Sequence, residues 1–217
     1  RTPLADGASL GFHESQSRLW ENQVGRSREF WEFLWPKFRR RFAAATAGME
    51  FESFFRSILR VIPSEIRTEA DEVTYNLHIL LRYELEKEMI SGRVNLSDLP
   101  EIWNAKMREY LGVTPRNDTV GVLQDIHWAG GSFGYFPTYA LGNLIAAQLW
   151  SIARRRLPEL PDEIRCGNFR PLLDFLRETV HRYGAKYEPA ELLLRITGSS
   201  EVDPECFLAG LREKYLA

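Results

Sequence analysis

Apolar residues recur every three and four positions through most of this sequence, and that spacing commits the chain to packed helices. The longest run lies between Ser64 and Ser91, where Ile66, Ala70, Val73, Leu77, Leu80, Leu81, Leu85 and Met89 form one buried stripe and predict a single long helix. Segments 50–62, 100–111, 138–157 and 169–183 carry the same pattern. Gly48, Gly92, Gly112, Gly184 and Gly198 fall where the periodicity stops, as helix-ending glycines do. Pro63, Pro100, Pro171, Pro189 and Pro204 fall near helix starts, where a missing amide proton costs little. Pro36 should break or kink the run between Arg28 and Ala47, because it removes a helical hydrogen bond.

Residues 119–137 resist this pattern. β-Formers, four glycines and several polar side chains follow one another there without helical spacing, which predicts a short strand and an irregular loop. No internal repeat, low-complexity tract or linker interrupts the chain. The expectation is therefore all-α, a single helical domain over residues 1–217 with one strand/loop element.

Composition excludes several classes. The 217 residues are 44% hydrophobic and 27% charged with a formal net charge of −2, which argues for a globular protein and against a nucleic-acid partner. Arg39–Arg41 and Arg154–Arg156 read as solvated helix faces. No stretch approaches the roughly 18 apolar residues of a membrane span, so no membrane partner is expected. The two cysteines, Cys166 and Cys206, have no metal-type spacing and suggest a reducing compartment, hence the cytoplasm.

Four polar clusters could carry chemistry. In the first, Glu14, Arg18 and Glu21 share one helical face, as a functional surface or as an ion-pair ladder worth a few tenths of a kcal/mol per pair. The second is a stripe of Arg67, Asp71, Tyr75, His78 and Arg82. Each member alone is an ordinary core or surface residue, whereas together they suggest a solvent-lined cleft wall. Gln124, Asp125 and His127 form the third cluster, and Tyr135 and Tyr139 follow directly as the fourth. Spacing alone supports only a helical protein with a polar cleft.

Taken in order, these clusters contain His13-Glu14-Ser15-Gln16, Ile66-Arg67-Thr68-Glu69-Ala70-Asp71 and Gly121–Trp128. They resemble the HES-Gln, Ile-Arg-x-x-Ala-Asp and Gly-x-x-Gln-Asp-x-His-Trp blocks of the thermostable carboxypeptidases, the HExxH metallocarboxypeptidases of peptidase family thirty-two of the metallo class. The likeness extends through 17–27, 72–86 and 134–148. It implies the carboxy-terminal portion of a long-helix, zincin-like carboxypeptidase fold. It also implies a zinc (or cobalt) peptidase that removes carboxy-terminal residues from peptides with broad specificity and is a homodimer when complete.

By the same resemblance, Glu14 is a metal ligand and Arg67 meets the substrate's terminal carboxylate, with Asp71 orienting it. His127 and Tyr135 would address the scissile carbonyl and its developing oxyanion. Gln124 and Asp125 would support that loop, and Tyr139 joins the substrate-binding set. The HExxH motif itself occurs nowhere in the 217 residues; in the family it precedes the HES block. No initiator methionine stands before Arg1 either. The expectation is a fragment that holds no zinc stably and is inactive alone. The alternative is a non-catalytic helical binding protein that kept the fold.

Overall fold

The computed structural model describes residues 2–216. Every regular element among the described residues is helical, with ten α-helices joined by short 3-10 and π turns. The chain divides into two compact units, Arg1–Leu59 with Leu141–Ala217, and Arg60–Ala140.

The first unit contains α1 (Leu10–Arg18), a π turn (Leu19–Val24), α2 (Arg28–Arg41) and α3 (Phe51–Ile58). It continues with most of α6 (Pro137–Arg156), then α7 (Leu160–Arg165), α8 (Arg170–Thr179), α9 (Pro189–Thr197) and α10 (Pro204–Leu216). Ser9 and Ser27 start α1 and α2 by accepting the amide protons of Phe12 and Phe30 at 3.1 and 3.2 Å. Leu19, Leu149, Leu160, Leu172 and Leu176 are fully buried in one core, each contributing about 1.5–3 kcal/mol.

Of the break or kink expected at Pro36, the break does not occur: α2 runs through it. Trp35 stacks on Phe54 of α3 at 4.5 Å, and Trp31 meets the same ring edge-on at 4.8 Å. This aromatic packing along α2 offsets the lost hydrogen bond, worth about 3 kcal/mol in an isolated helix.

The second unit contains a 3-10 turn (Arg67–Glu69), α4 (Tyr75–Ile90), a second 3-10 turn (Leu96–Asp98) and α5 (Leu99–Leu111). Leu81, Leu85, Trp103 and Met107 fill the space between α4 and α5. α5 ends at Gly112, whose φ of 70° is the left-handed conformation that ends helices. The long helix expected from Ser64 begins only at Tyr75. Asp71 explains the late start. Its Oδ1 accepts from the Val73 and Thr74 amides at 2.9 Å, and its Oδ2 from the Ile62 amide and the Thr74 hydroxyl at 2.9 Å. These bonds tie the segment before α4 into a capped turn, and the apolar spacing of Ile66, Ala70 and Val73 does not reflect a helix.

The strand expected within 119–137 does not form either. Several of its amides are satisfied locally, as in Leu123 to Asp118 at 2.9 Å and Gly130 to Ile126 at 2.9 Å, so the segment is a chain of turns without a ladder. Among the described residues no helix is long and apolar enough to cross a membrane.

Candidate functional site

On α4, Tyr75, His78, Arg82 and Glu86 follow at spacings of three, four and four, which places them on one face. All four are buried. With Arg67 and Asp71, also buried, they are not the solvent-lined wall that the sequence suggested; they form a charged interior.

Asp125 is the centre of that interior. Its Oδ1 accepts from Arg67 Nη2 at 2.6 Å and Nε at 3.1 Å. Its Oδ2 accepts from Arg82 Nε at 2.8 Å and lies 2.7 Å from Arg82 Nη2. The carboxylate that orients Arg67 is thus Asp125, and Asp71, expected in that role, instead caps the turn before α4. Arg67 Nη1 donates to the Tyr75 hydroxyl at 2.9 Å, and its guanidinium lies 4.9 Å from the Tyr139 ring centre. Arg67 has five N–H donors in a planar fork, and these contacts use three, leaving one on each terminal nitrogen among the described residues.

Electrostatics follow from the burial. Burial alone would raise the Asp125 carboxyl, but the two arginines more than offset this and hold it below its ordinary value. Burial pushes Arg82 down to about 10, against the pull of Asp125, so it stays charged at neutral pH. His78 is pushed down to about 3 by burial first and by Arg82 and Arg67 next, and is therefore neutral.

The turn segment is pinned to this interior. Gln124 accepts from the Arg67 amide at 2.8 Å and donates to the Glu65 and Val120 carbonyls at 3.0 and 2.9 Å. Glu86 accepts from the Trp128 indole at 2.8 Å and from the Gly134 amide at 3.2 Å. His127 sits between these anchors, its ring 4.3 Å from Phe136 and 5.3 Å from Tyr135. Its Nε2 lies 3.2 Å from the Tyr139 hydroxyl, while its Nδ1 is 3.9 Å from Asp125, too far for a hydrogen bond. Burial lowers the His127 pKa, and Asp125 only partly counters this. The Tyr135 hydroxyl, half-buried, makes no hydrogen bond among the described residues.

Glu14 lies on α1 in the first unit. Its carboxylate accepts from the Ser17 hydroxyl at 3.3 Å, and His13 beside it is exposed. Arg18 pairs with Glu21 at 2.9 Å, one leg of the expected ladder. Gln16 bonds Ser15 and His181, both at 2.9 Å. Gly142 of α6 lets the Glu14 backbone approach so closely that a Cβ there would stand 2.7 Å from Glu14 Cβ. Among the described residues no three His, Cys, Asp or Glu side chains group to hold a metal ion. A catalytic zinc takes three protein ligands, so the donors present here do not fit one.

Sequence reasoning left out Glu86, His181, Gly142 and the inward role of Arg82. Glu86 had a signal, since it continues the α4 stripe one turn beyond Arg82. His181 and Gly142 had none, because their partners are distant in the chain.

Comparison with known proteins places these residues in a family context. The profile described as "Carboxypeptidase Taq (M32) metallopeptidase" matches residues 1–215. Thermostable carboxypeptidase 1 of Thermus thermophilus is 50% identical over 216 residues, covering 100% of this chain and 42% of that protein. Thermostable carboxypeptidase 1 of Pyrococcus furiosus is 46% identical over 217 residues, with 99% and 43% covered. The crystal structure of the M32 carboxypeptidase from Deinococcus radiodurans R1 superposes with a TM-score of 0.94 at 43% identity, over 99% of this chain and 43% of that one. The chain therefore spans less than half the length of the relatives it matches.

Proposed function

This chain belongs to the carboxypeptidase Taq (M32) metallopeptidase family, and from that premise we propose that it is the part of a zinc metallocarboxypeptidase that receives the substrate's carboxy terminus. Both compact units are read as portions of one catalytic domain. The substrates are peptides, shortened from the carboxyl end with broad specificity.

The observation that carries this reading is the state of Arg67. Asp125 occupies the side-on edge of its guanidinium and Tyr75 one further donor. The two donors that remain, one on each terminal nitrogen, match the two oxygens of a carboxylate. Arg67 is 5% exposed, so an anion reaching it exchanges water for fixed donors in a weakly screening environment. Asp71 and Gln124 hold the backbone on either side of Arg67 and so set its position. The Tyr139 ring, beneath the Arg67 guanidinium, completes the substrate-binding set.

His127 and Tyr135 are assigned to the scissile carbonyl. A neutral imidazole and an uncommitted phenol can both donate to an oxygen as negative charge develops on it. Glu14 is assigned as one ligand of the metal ion, zinc or cobalt, that the family requires. The 217 residues alone are expected to retain no such ion and to release no amino acid. The whole enzyme is read as a cytoplasmic homodimer, a location supported by two free cysteines.

Steady-state kinetics on a blocked dipeptide test this assignment in the full-length protein. Arg67→Lys keeps the charge but loses the fork, and KM should rise about 10- to 100-fold with kcat changed less. An unaltered KM would reject Arg67 as the carboxylate receptor.

A further inference from the structure

Arg82 is 0% exposed, so it cannot touch a substrate, and nothing in the chemistry above uses it directly. Its surroundings leave it no freedom. Nη1 donates to the His78 carbonyl of its own helix at 2.8 Å. The guanidinium lies 4.6 Å from the Trp103 ring centre and 5.3 Å from that of Phe136. Nε donates to Asp125 Oδ2 at 2.8 Å, and Nη2 lies 2.7 Å from the same oxygen as an ion pair without a hydrogen bond.

Asp125, by contrast, stands on the turn segment, where a short side chain can rotate its carboxylate. Oδ1 takes the two shorter Arg67 contacts, while Oδ2 takes the Arg82 contacts and only a longer one, 3.3 Å, from Arg67 Nε. Without the second contact the carboxylate could turn Oδ2 towards Arg67 and spread over the terminal nitrogens. It would then compete for the donors that a substrate carboxylate needs. Two guanidinium groups also share this one carboxylate, so the triad keeps a net positive charge that attracts an anion.

We infer that Arg82 is a positioning residue for carboxylate recognition. From the rigid α4 it fixes Asp125 Oδ2, and Asp125 Oδ1 in turn fixes the side-on edge of Arg67 with the receiving edge left clear. This rests on the assignment of Arg67 given above. Arg82 acts only through Asp125 and Arg67, so its effect disappears where Arg67 no longer functions.

The test is a double-mutant cycle on the full-length, metal-loaded enzyme, with kcat and KM measured for a blocked dipeptide. Arg82→Lys retains a buried cation and is the variant that keeps the fold; Arg82→Met is the stronger change, with thermal melting reporting whether it folds. Arg82→Lys is expected to raise KM about 5- to 30-fold, with kcat within about threefold and metal content unchanged. Added to Arg67→Lys it is expected to raise KM no further, since groups acting in series are not additive. A folded Arg82→Lys with wild-type KM, beside an Arg67→Lys that does raise it, would make Arg82 merely structural and leave the Arg67 assignment intact. A fully additive double variant would overturn the inference in the same way. An Arg67→Lys without effect on KM would remove both.

Discussion

The ion pairs of the first unit each keep at least one exposed partner, and so do Lys106–Glu84 and Arg116–Glu65 of the second, whereas the two arginine pairs made by Asp125 in the second unit are buried. Arg28–Glu52 and Arg170–Asp174 close at 2.7 and 2.6 Å with side chains 42–69% exposed. Arg67–Asp125 and Arg82–Asp125 close at 2.6 and 2.7 Å with side chains 0–11% exposed. The distances are alike and the energetics are not. An exposed pair contributes about 0–1 kcal/mol, while removing one partner of a buried pair costs about 3–5 kcal/mol, because the survivor is left charged and dry. A nonpolar core would stabilise the second unit at least as well. What buried charge adds is direction: Asp125 fixes the orientation of the Arg67 guanidinium.

The sharpest break in this contrast comes from Asp125→Ala, which leaves two arginines unpaired. It should cost about 3–5 kcal/mol. Hydrogen exchange should show the loss in α4 and α5, with the α8 amides unchanged.

Acid comes next. Folded His78 stays neutral down to about 3, whereas an unfolded one protonates near 6.5, so the unfolded state binds the extra proton. Stability is therefore lost as pH falls below 6.5, at about 1.4 kcal/mol per pH unit. The lowered Asp125 pKa adds a loss of the same sign at more acidic pH. Urea denaturation of His78→Gln between pH 7 and about 4.5 should show a flatter dependence than the parent.

Gly142→Ala probes the first unit. The new Cβ meets Glu14 Cβ at 2.7 Å, so the helices must separate, at about 1–3 kcal/mol. A lower melting temperature with weaker zinc retention in the full-length protein is the expected pair of results. The smallest effect belongs to Arg170→Ala, whose partner Asp174 is exposed, at under about 0.5 kcal/mol by denaturant titration.

Most of the helices could be read from the sequence, because glycine stops and apolar spacing are local properties. The misreadings share a cause. Ile66, Ala70 and Val73 have helical spacing, but the Asp71 side chain competes for the local amides and delays α4 to Tyr75. Pro36 is a local breaker outweighed by packing on Phe54 from another helix. Among the described residues the β-formers around Val120 have no neighbouring strand to pair with. The site divides along the same line. Arg67, Gln124, Asp125 and His127 were singled out through motifs and lie together in the structure, but Asp125 rather than Asp71 as the partner of Arg67 is a contact across 58 positions. Arg82 and Glu86 were visible as a stripe, yet spacing does not tell an interior face from a solvent-lined one.

The most direct test of the central claim separates recognition from the metal. Equilibrium binding of a blocked dipeptide and of its carboxy-terminal amide would be measured on the full-length protein stripped of metal, beside Arg67→Lys. The account predicts that the free carboxylate binds at least about tenfold more tightly than the amide, and that Arg67→Lys abolishes the preference. Equal binding of the two ligands, or a preference that survives the substitution, would contradict it.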